Sequence, residues 1–260
     1  MSRIVTTIDH GVATVRLNDP ASLNALSVPM ASELREVLGE LTGESSLRAL
    51  VVTGTGRAFC AGGDVRAFYD NRDDPADTMQ AVIDGLHGAI EVLIDAPFPT
   101  IAAINGVVAG AGMGLALATD LAIAAESAMF TMAYTGIGVS PDGSSTFFLP
   151  RLVGTRIAME MILTNRRVSS AEALSLGLVN SVVPDDELEE AVATLAGKLA
   201  VGPTLAYVRA RSLVRSSLSA DPATQMAAEA AGIMAAGQTN DFYEGITAFM
   251  EKRPPTFQGN

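Results

Sequence analysis

Three short apolar segments set the strongest limit on the fold of this chain. They read ALVVTG (49–54), TIAAING (100–106) and DLAIAAE (120–126), and charge occurs only at the two ends of the third. Short apolar runs of this kind are typical of strands that are covered on both faces. Helical patterns separate the three runs, so we expect parallel pairing with right-handed crossovers. The sequence therefore predicts an α/β fold.

The remaining patterns predict a hairpin before this core and helices after it. Strands over 4–8 and 12–17 are joined at Asp9-His10-Gly11, a hairpin signal. Apolar spacing predicts helices over 28–41, 77–95, 185–201, 203–218, 221–236 and 240–252. From about residue 143 the pattern is mainly helical, so we divide the chain into a core over 1–200 and a helical region over 201–260.

One uncharged segment has the length of a membrane span. Residues 100–119 carry no charge, but they include Asn105 and four glycines, and Asp120 follows directly. We interpret the segment as a buried strand, a tight loop and a buried helix, and expect no association with a membrane. No secretory or transit segment is recognised, and we expect a cytoplasmic protein.

Charge and cysteine content narrow the possible functions. The chain has 17 Lys and Arg against 29 Asp and Glu, a net charge of −12, which disfavours nucleic acid as a partner. Cys60 is the one cysteine, so no intrachain disulfide can form, and we expect it to be a small buried filler. With only His10 and His87 besides, we expect no metal site, and we place His87 on a helix surface or pocket wall rather than as a catalytic base.

Two common site motifs fail on inspection. GAGMGL (110–115) has Leu115 where a dinucleotide fingerprint needs its third glycine. Gly138-Val-Ser140-Pro-Asp142 breaks the Gly-x-Ser-x-Gly pattern at its last position. Neither a nucleotide cofactor nor a serine nucleophile is indicated.

Two glycine-rich loops remain, GTGRAFCAGGDVRAF (54–68) and INGVVAGAGMGLALATD (104–120). Each follows a predicted buried strand and precedes a helical pattern. Side by side, such loops could direct two backbone N–H groups at one ligand oxygen. Glycines also make tight strand-to-helix turns, and composition leaves both interpretations open.

Four ordered blocks resemble the crotonase superfamily, also called enoyl-CoA hydratase/isomerase. They are RAFCAGGDV, AAINGVVAGAGMGLALATDLAIAAESAMF, GIGVSPDGSSTFFLPRLVG and SSAEALSLGLVNSVV, and the resemblance runs from about residue 4 to the C-terminal EGITAFMEKRPPTF. It implies a spiral of repeated ββα units with a C-terminal helical region for oligomerisation, as homotrimers or dimers of trimers. It also implies an acyl-CoA thioester as substrate, with coenzyme A part of that substrate and no separate cofactor.

The resemblance also assigns site residues. The backbone N–H groups of Gly63 and Ala111 would form an oxyanion hole for the thioester oxygen. Substrate and CoA contacts would come from Ala25, Ala61, Gly62, Asp64, Val65, Gly110, Tyr134 and Lys252. Candidates for the CoA phosphates are Arg57, Arg66, and Lys252 or Arg253 from a neighbouring subunit, although each could also be solvated surface charge.

The acids point to one reaction within this superfamily. The two glutamates of its hydratases align with Gly114 and Tyr134, neither of which can act as a carboxylate. Double-bond isomerisation needs one base, and SPDGSST resembles the block that carries the base in Δ3,Δ2-enoyl-CoA isomerases and in ring-opening isomerases of the phenylacetate pathway. We therefore predict Asp142 as general base, against the alternative of a turn-forming aspartate. A hydratase with relocated acids and a non-catalytic acyl-CoA-binding protein stay open.

Overall fold

The computed structural model describes residues 2–260, which contain ten strands and eleven α-helices. The strands are β1 (Ile4–Asp9), β2 (Val12–Leu17), β3 (Ala49–Gly54), β4 (Ala58–Cys60), β5 (Thr100–Ile104), β6 (Val107–Ala109), β7 (Leu121–Ala125), β8 (Met129–Thr131), β9 (Val168–Ser169) and β10 (Ser181–Val183). The helices are α1 (Val28–Thr42), α2 (Val65–Asp70), α3 (Ala76–Asp95), α4 (Ala111–Ala118), α5 (Ser145–Val153), α6 (Thr155–Thr164), α7 (Ser170–Leu176), α8 (Leu188–Ala200), α9 (Thr204–Ser217), α10 (Pro222–Ala236) and α11 (Asn240–Glu251).

The strands form two sheets. The larger has the order β1-β2-β3-β5-β7-β10 and is parallel except for the β1–β2 hairpin. The smaller has the order β4-β6-β8-β9, with β9 antiparallel. In the pairs β3/β4, β5/β6 and β7/β8 the first strand joins the large sheet and the second joins the small one. This alternation, with helices after each pair, confirms the predicted spiral of ββα units.

The short strands of the second sheet were not predicted. β4, β6 and β8 have three residues each; β4 and β6 lie in the two segments that the sequence analysis assigned to glycine-rich loops, and no element was predicted at β8. Three residues are too few to show an alternating pattern, and their pairing depends on strands distant in the chain. The small sheet matters for function because β4 and β6 lead directly into the two glycine-rich loops.

The uncharged segment 100–119 is inside the protein. It forms β5, β6 and α4, and every residue of α4 is buried. The interpretation as strand, loop and helix is confirmed, with one extra strand in the loop. Over residues 2–260 no single helix is long and apolar enough to cross a membrane. One pair of helices, 185–200 and 204–217, has sufficient length and apolar composition when taken together, but the two helices are bent by 103° relative to each other.

A partly buried ionic cluster attaches α9 to the core. Asp120 precedes β7 and pairs with Arg211 at 3.1 Å and with Arg215 at 3.0 Å. The two guanidinium groups also donate to carbonyl groups at the C-terminal ends of α3 and α4, including those of Ile94 and Ala118. These contacts satisfy helix-end carbonyls that lack partners within their own helix. The boundary between core and helical region near residue 200 stays a prediction.

Candidate active site

The two glycine-rich loops lie against each other because β4 and β6 are parallel neighbours. Gly62 has φ +103°, and a Cβ atom added to it would lie 3.1 Å from the carbonyl oxygen of Ala109 and 3.5 Å from Cα of Gly110. A side chain at Gly62 is therefore disfavoured by backbone conformation and by space. The predicted pairing of the loops is confirmed.

Each loop carries a backbone N–H that is not used within the protein. Among residues 2–260, the N–H groups of Gly63 and Ala111 donate no hydrogen bond. Ala111 is the first residue of α4, where N–H groups have no partner in the helix and the helix dipole favours negative charge. Both groups are therefore available to a ligand oxygen.

A third segment, 23–26, lies beside the first loop. Leu26 donates through its N–H to the carbonyl of Gly62 at 2.7 Å and accepts from the N–H of Asp64 at 3.1 Å, while Ala61 donates to the carbonyl of Leu23 at 3.1 Å. These bonds place the predicted substrate-binding residues Ala25, Ala61, Gly62 and Asp64 together. Their contact with a ligand stays a prediction.

Asn24 holds this arrangement in place. It is fully buried, and its side-chain amide donates to the carbonyls of Thr55 and Ala58 at 3.0 and 2.8 Å. Its Oδ1 accepts from the N–H of Asp19 at 2.9 Å. The sequence analysis did not single out Asn24, since an asparagine within a polar segment normally indicates a turn.

The other predicted binding residues are more exposed. The Asp64 carboxylate caps α2 by accepting from the N–H of Ala67 at 3.1 Å, and Val65, the first residue of α2, is 49% exposed. Lys252 ends α11 and makes no side-chain hydrogen bond to the loops. Its contribution from a neighbouring subunit stays a prediction.

Two of the candidate phosphate ligands already pair with acids of the same chain. Arg66 forms an exposed pair with Asp70 at 3.2 Å. Arg253 binds both carboxylate oxygens of Glu244, at 2.6 and 2.9 Å, and also Glu251 at 2.7 Å. Arg66 makes one exposed pair, whereas Arg253 binds two acids, so Arg66 is the freer of the two to reorient toward a phosphate.

Asp142 lies at the junction of three elements. Its Oδ1 accepts a 2.6 Å hydrogen bond from the hydroxyl of Tyr134, and its Oδ2 lies 3.2 Å from Nε2 of His87 on α3. The Asp142 side chain is 27% exposed and that of His87 is 45% exposed. Asp142 is thus a positioned carboxylate with access to solvent. Its backbone carbonyl also accepts a hydrogen bond from the N–H of Ser145, so the turn predicted at this position forms as well. The turn and the proposed catalytic role are compatible.

Tyr134 is a fixed hydrogen-bond donor in this cluster. Burial raises the pKa of its phenol far above the ordinary range, and the negative charge of Asp142 raises that pKa further. The hydroxyl therefore stays protonated at every physiological pH. The predicted substrate-binding role of Tyr134 is untested, whereas its bond to Asp142 is a direct structural contact.

The position of Gly114 explains why an acid is missing there. A Cβ atom added to Gly114 would lie 2.5 Å from the carbonyl oxygen of Gly143, the residue after Asp142. Any side chain at position 114 would therefore have to displace the loop that carries Asp142. The loop occupies the space that a glutamate at this position would need.

Sequence reasoning expected His87 on a helix surface or in a pocket wall; it lies on α3 with a half-exposed side chain, and its contact with Asp142 was not predicted. Its contact with Asp142 joins residues 55 positions apart, and no local pattern signals such a contact. Cys60 is fully buried, as predicted, and burial raises the pKa of its thiol to about 12. Within residues 2–260 no group of three or more His, Cys, Asp or Glu side chains could hold a metal ion.

A spiral of ββα units that presents two unused backbone N–H groups and a hydrogen-bonded carboxylate defines the crotonase class of α/β proteins. Comparison with known proteins agrees: residues 7–260 match the family described as enoyl-CoA hydratase/isomerase. The chain belongs to the enoyl-CoA hydratase/isomerase family and is an enzyme of that family.

Individual relatives carry different activity names. A "Probable enoyl-CoA hydratase" of Rhodobacter capsulatus is 39% identical over 97% of this chain and 96% of its own. The "1,2-epoxyphenylacetyl-CoA isomerase" of Escherichia coli is 35% identical over 100% of this chain and 99% of its own. The crystal structure of a putative enoyl-CoA hydratase/isomerase from Mycobacterium abscessus superposes with a TM-score of 0.93 at 34% identity, covering 99% and 100% of the two chains.

Proposed function

We propose that this enzyme is an acyl-CoA isomerase that converts a 3-enoyl-CoA into a 2-enoyl-CoA. Asp142 removes a proton from C2 and delivers a proton to C4, and the N–H groups of Gly63 and Ala111 stabilise the enolate oxygen of the thioester. One such donor is typically worth about 10²–10³ in rate. The observation that carries the proposal is the carboxylate of Asp142, which accepts a hydrogen bond from Tyr134. The loop that carries Asp142 leaves no room for an acid at Gly114.

The isomerase reaction fits one carboxylate because the same base serves both proton transfers. One proton leaves C2 and one proton is delivered to C4, so no water molecule has to add to the substrate. The double bond becomes conjugated with the thioester carbonyl, which provides the driving force. A relative named as an acyl-CoA isomerase at 35% identity supports this class of reaction.

The direct test is isomerase turnover by wild type and Asp142→Asn. We expect wild type to form the conjugated 2-enoyl thioester from a 3-enoyl-CoA, and Asp142→Asn to lose at least about 10²-fold in kcat, the usual scale for a general base. Asp70→Asn is the matched control, because Asp70 is exposed and, among residues 2–260, its only ionic partner is Arg66. Full activity in a folded Asp142→Asn protein would contradict the assignment.

Hydration of 2-enoyl-CoA is the second candidate, favoured by the hydratase name of the Rhodobacter capsulatus relative. It requires a water molecule held between groups that deprotonate it and protonate carbon. Formation of 3-hydroxyacyl-CoA by wild type faster than isomerisation would establish it. Tight acyl-CoA binding by calorimetry with neither activity would instead indicate a non-catalytic protein.

We also propose a homotrimer or a dimer of trimers, assembled through the C-terminal helices. None of the residues of α10 is buried. Its apolar side chains Met226, Ile233 and Met234 are 62%, 73% and 70% exposed, and Phe249 on α11 is 82% exposed. Several large exposed apolar side chains on these helices favour a protein–protein contact site. Sedimentation equilibrium tests the proposal, and a monomer at micromolar concentration would contradict it.

A further inference from the structure

His87 makes two contacts through one atom. Its Nε2 lies 3.2 Å from Oδ2 of Asp142 and also accepts a 3.2 Å hydrogen bond from the backbone N–H of Gly143. Nδ1 makes no hydrogen bond with any of residues 2–260. The imidazole therefore connects the carboxylate to the outside of the site through a side chain that is 45% exposed.

The two contacts of Nε2 restrict where protons can be. A ring nitrogen has either one lone pair or one N–H in the ring plane, so Nε2 cannot accept from Gly143 and donate to Asp142 at once. When Nε2 accepts from Gly143, its contact with Oδ2 is favourable only if Asp142 is protonated and donates. When Asp142 is a carboxylate, the contact is favourable only if Nε2 carries the proton.

These two states are the two states of Asp142 during the proposed reaction. The carboxylate precedes removal of the C2 proton, and the carboxylic acid follows it. Oδ1 already accepts from Tyr134 at 2.6 Å, so the newly acquired proton fits Oδ2, the oxygen that faces His87. The hydrogen bond from Gly143 occupies the one lone pair of Nε2, so transfer of the proton from Oδ2 to Nε2 replaces that hydrogen bond.

We infer that His87 exchanges this proton with Asp142 and passes it to solvent, an inference that rests on the proposed isomerase function. Asp142 takes the C2 proton and leaves a dienolate; its Oδ2–H proton moves to Nε2, which regenerates the carboxylate and forms an imidazolium. The imidazolium loses a proton to water and regains one from water, and the reverse transfer supplies C4. No net proton is gained or lost, but the hydrogen delivered to C4 comes from solvent.

The position of His87 relative to Asp142 is fixed by packing. A Cβ atom on Gly143 would lie 3.2 Å from the side chains of both Leu86 and Ile90, the neighbours of His87 on α3. The Asp142 loop is thus in direct contact with the helix that carries the imidazole. Contact of this kind keeps the donor and acceptor atoms within transfer distance without a conformational step.

The experiment is isomerisation of a 3-enoyl-CoA in D₂O at low conversion, with deuterium at C4 of the product measured by mass spectrometry. We expect wild type to incorporate solvent deuterium in most turnovers. His87→Gln should lower the incorporated fraction roughly tenfold while kcat falls much less, because Gln can keep the hydrogen bonds of Nε2 but cannot carry a proton. His10→Gln, in the exposed hairpin turn, is the matched control and should behave as wild type.

A second variant separates proton transfer from positioning. His87→Ala should also retain substrate hydrogen at C4, and added imidazole should restore deuterium incorporation. Retention of substrate hydrogen by wild type, or equal incorporation by wild type and folded His87→Gln, would overturn the inference and leave the isomerase assignment intact. Absence of isomerase turnover by wild type would overturn the proposed function, and this inference with it.

Discussion

The hydroxyl of Tyr134 donates a 2.6 Å hydrogen bond to Oδ1 of Asp142. Hydrogen bonds to a charged group contribute about 1.5–3 kcal/mol, more than neutral ones. The phenol stays neutral because burial and the Asp142 charge both raise its pKa. Tyr134 therefore orients the carboxylate and leaves Oδ2 as the oxygen that faces His87.

Tyr134→Phe should lower kcat roughly tenfold with little change in KM, because the carboxylate loses the donor that fixes its orientation, at a cost of about 1.5 kcal/mol. Steady-state isomerase kinetics measure the effect. Tyr69→Phe, on an exposed tyrosine, is the control. An unchanged kcat for Tyr134→Phe would show that orientation of Asp142 does not depend on this bond.

Gly114→Ala should damage activity and stability together. The added methyl group would lie 2.5 Å from the carbonyl oxygen of Gly143, so the Asp142 loop must shift. We expect a loss of about 1–3 kcal/mol in the free energy of unfolding, the usual cost of overpacking, and a fall in kcat. Gly39→Ala is the control, since nothing lies within 4 Å of its Cβ position on α1; it should be neutral or stabilising. Urea unfolding of the two variants measures the change in the free energy of unfolding for each.

Ala111→Pro should remove one oxyanion-hole donor without removing a side chain. Proline is tolerated at the first position of a helix, where Ala111 lies, but it has no N–H. We expect kcat to fall by about 10²–10³. Ala111→Gly keeps the donor and should stay within a few-fold of wild type. If a folded Ala111→Pro enzyme retained full activity, the N–H of Ala111 would have no role in stabilising the enolate.

Asp120→Asn should weaken the packing of α9 against the core. The substitution leaves Arg211 and Arg215 partly buried without their shared carboxylate. Loss of a hydrogen bond between charged groups costs about 1.5–3 kcal/mol, so the free energy of unfolding should fall by this order in urea titrations. The exposed pair of Arg66 and Asp70 gives the comparison: Asp70→Asn should change stability by less than about 1 kcal/mol.

Cys60 should contribute an alkaline loss of stability. Burial raises its pKa from the ordinary thiol value of 9.0 to about 12, so the unfolded chain releases the thiol proton at a lower pH than the folded protein. The stabilisation is complete below pH 9 and is lost as the pH rises from about 9 towards 12. The difference in unfolding free energy between wild type and Cys60→Ala should narrow over that window. Native Cys60 should also resist alkylation at pH 8, and rapid labelling of folded protein would contradict its burial.

Much of the framework could be predicted from local patterns. The hairpin, the buried strands β3, β5 and β7 and the C-terminal helices follow from apolar spacing, which reports burial directly. β4, β6 and β8 could not be predicted, because strands of three residues are stabilised by partners far away in the chain. Those short strands bring Gly62 beside Gly110.

The candidate site divides in the same way. The resemblance of SPDG and the two glycine-rich loops to known motifs singled out Asp142, Gly63 and Ala111. Gly63 lies in the first loop, Ala111 begins α4, and the loop that carries Asp142 packs against α4. The roles of Asn24 and of His87 were not predicted. A buried asparagine that bonds to four backbone groups looks, in sequence, like any turn asparagine.

The sequence by itself determined the α/β framework and the family, and its resemblance to that family predicted Asp142 as the one carboxylate of the site. These follow from residue type and order, because apolar patterns and motifs can be recognised along the chain without the tertiary structure. Only the tertiary structure decided what surrounds that carboxylate. Tyr134, His87 and the backbone of Gly143 meet Asp142 because α3, α4 and the following loop pack together. Contacts across 55 residues depend on that packing, and no pattern along the chain records it.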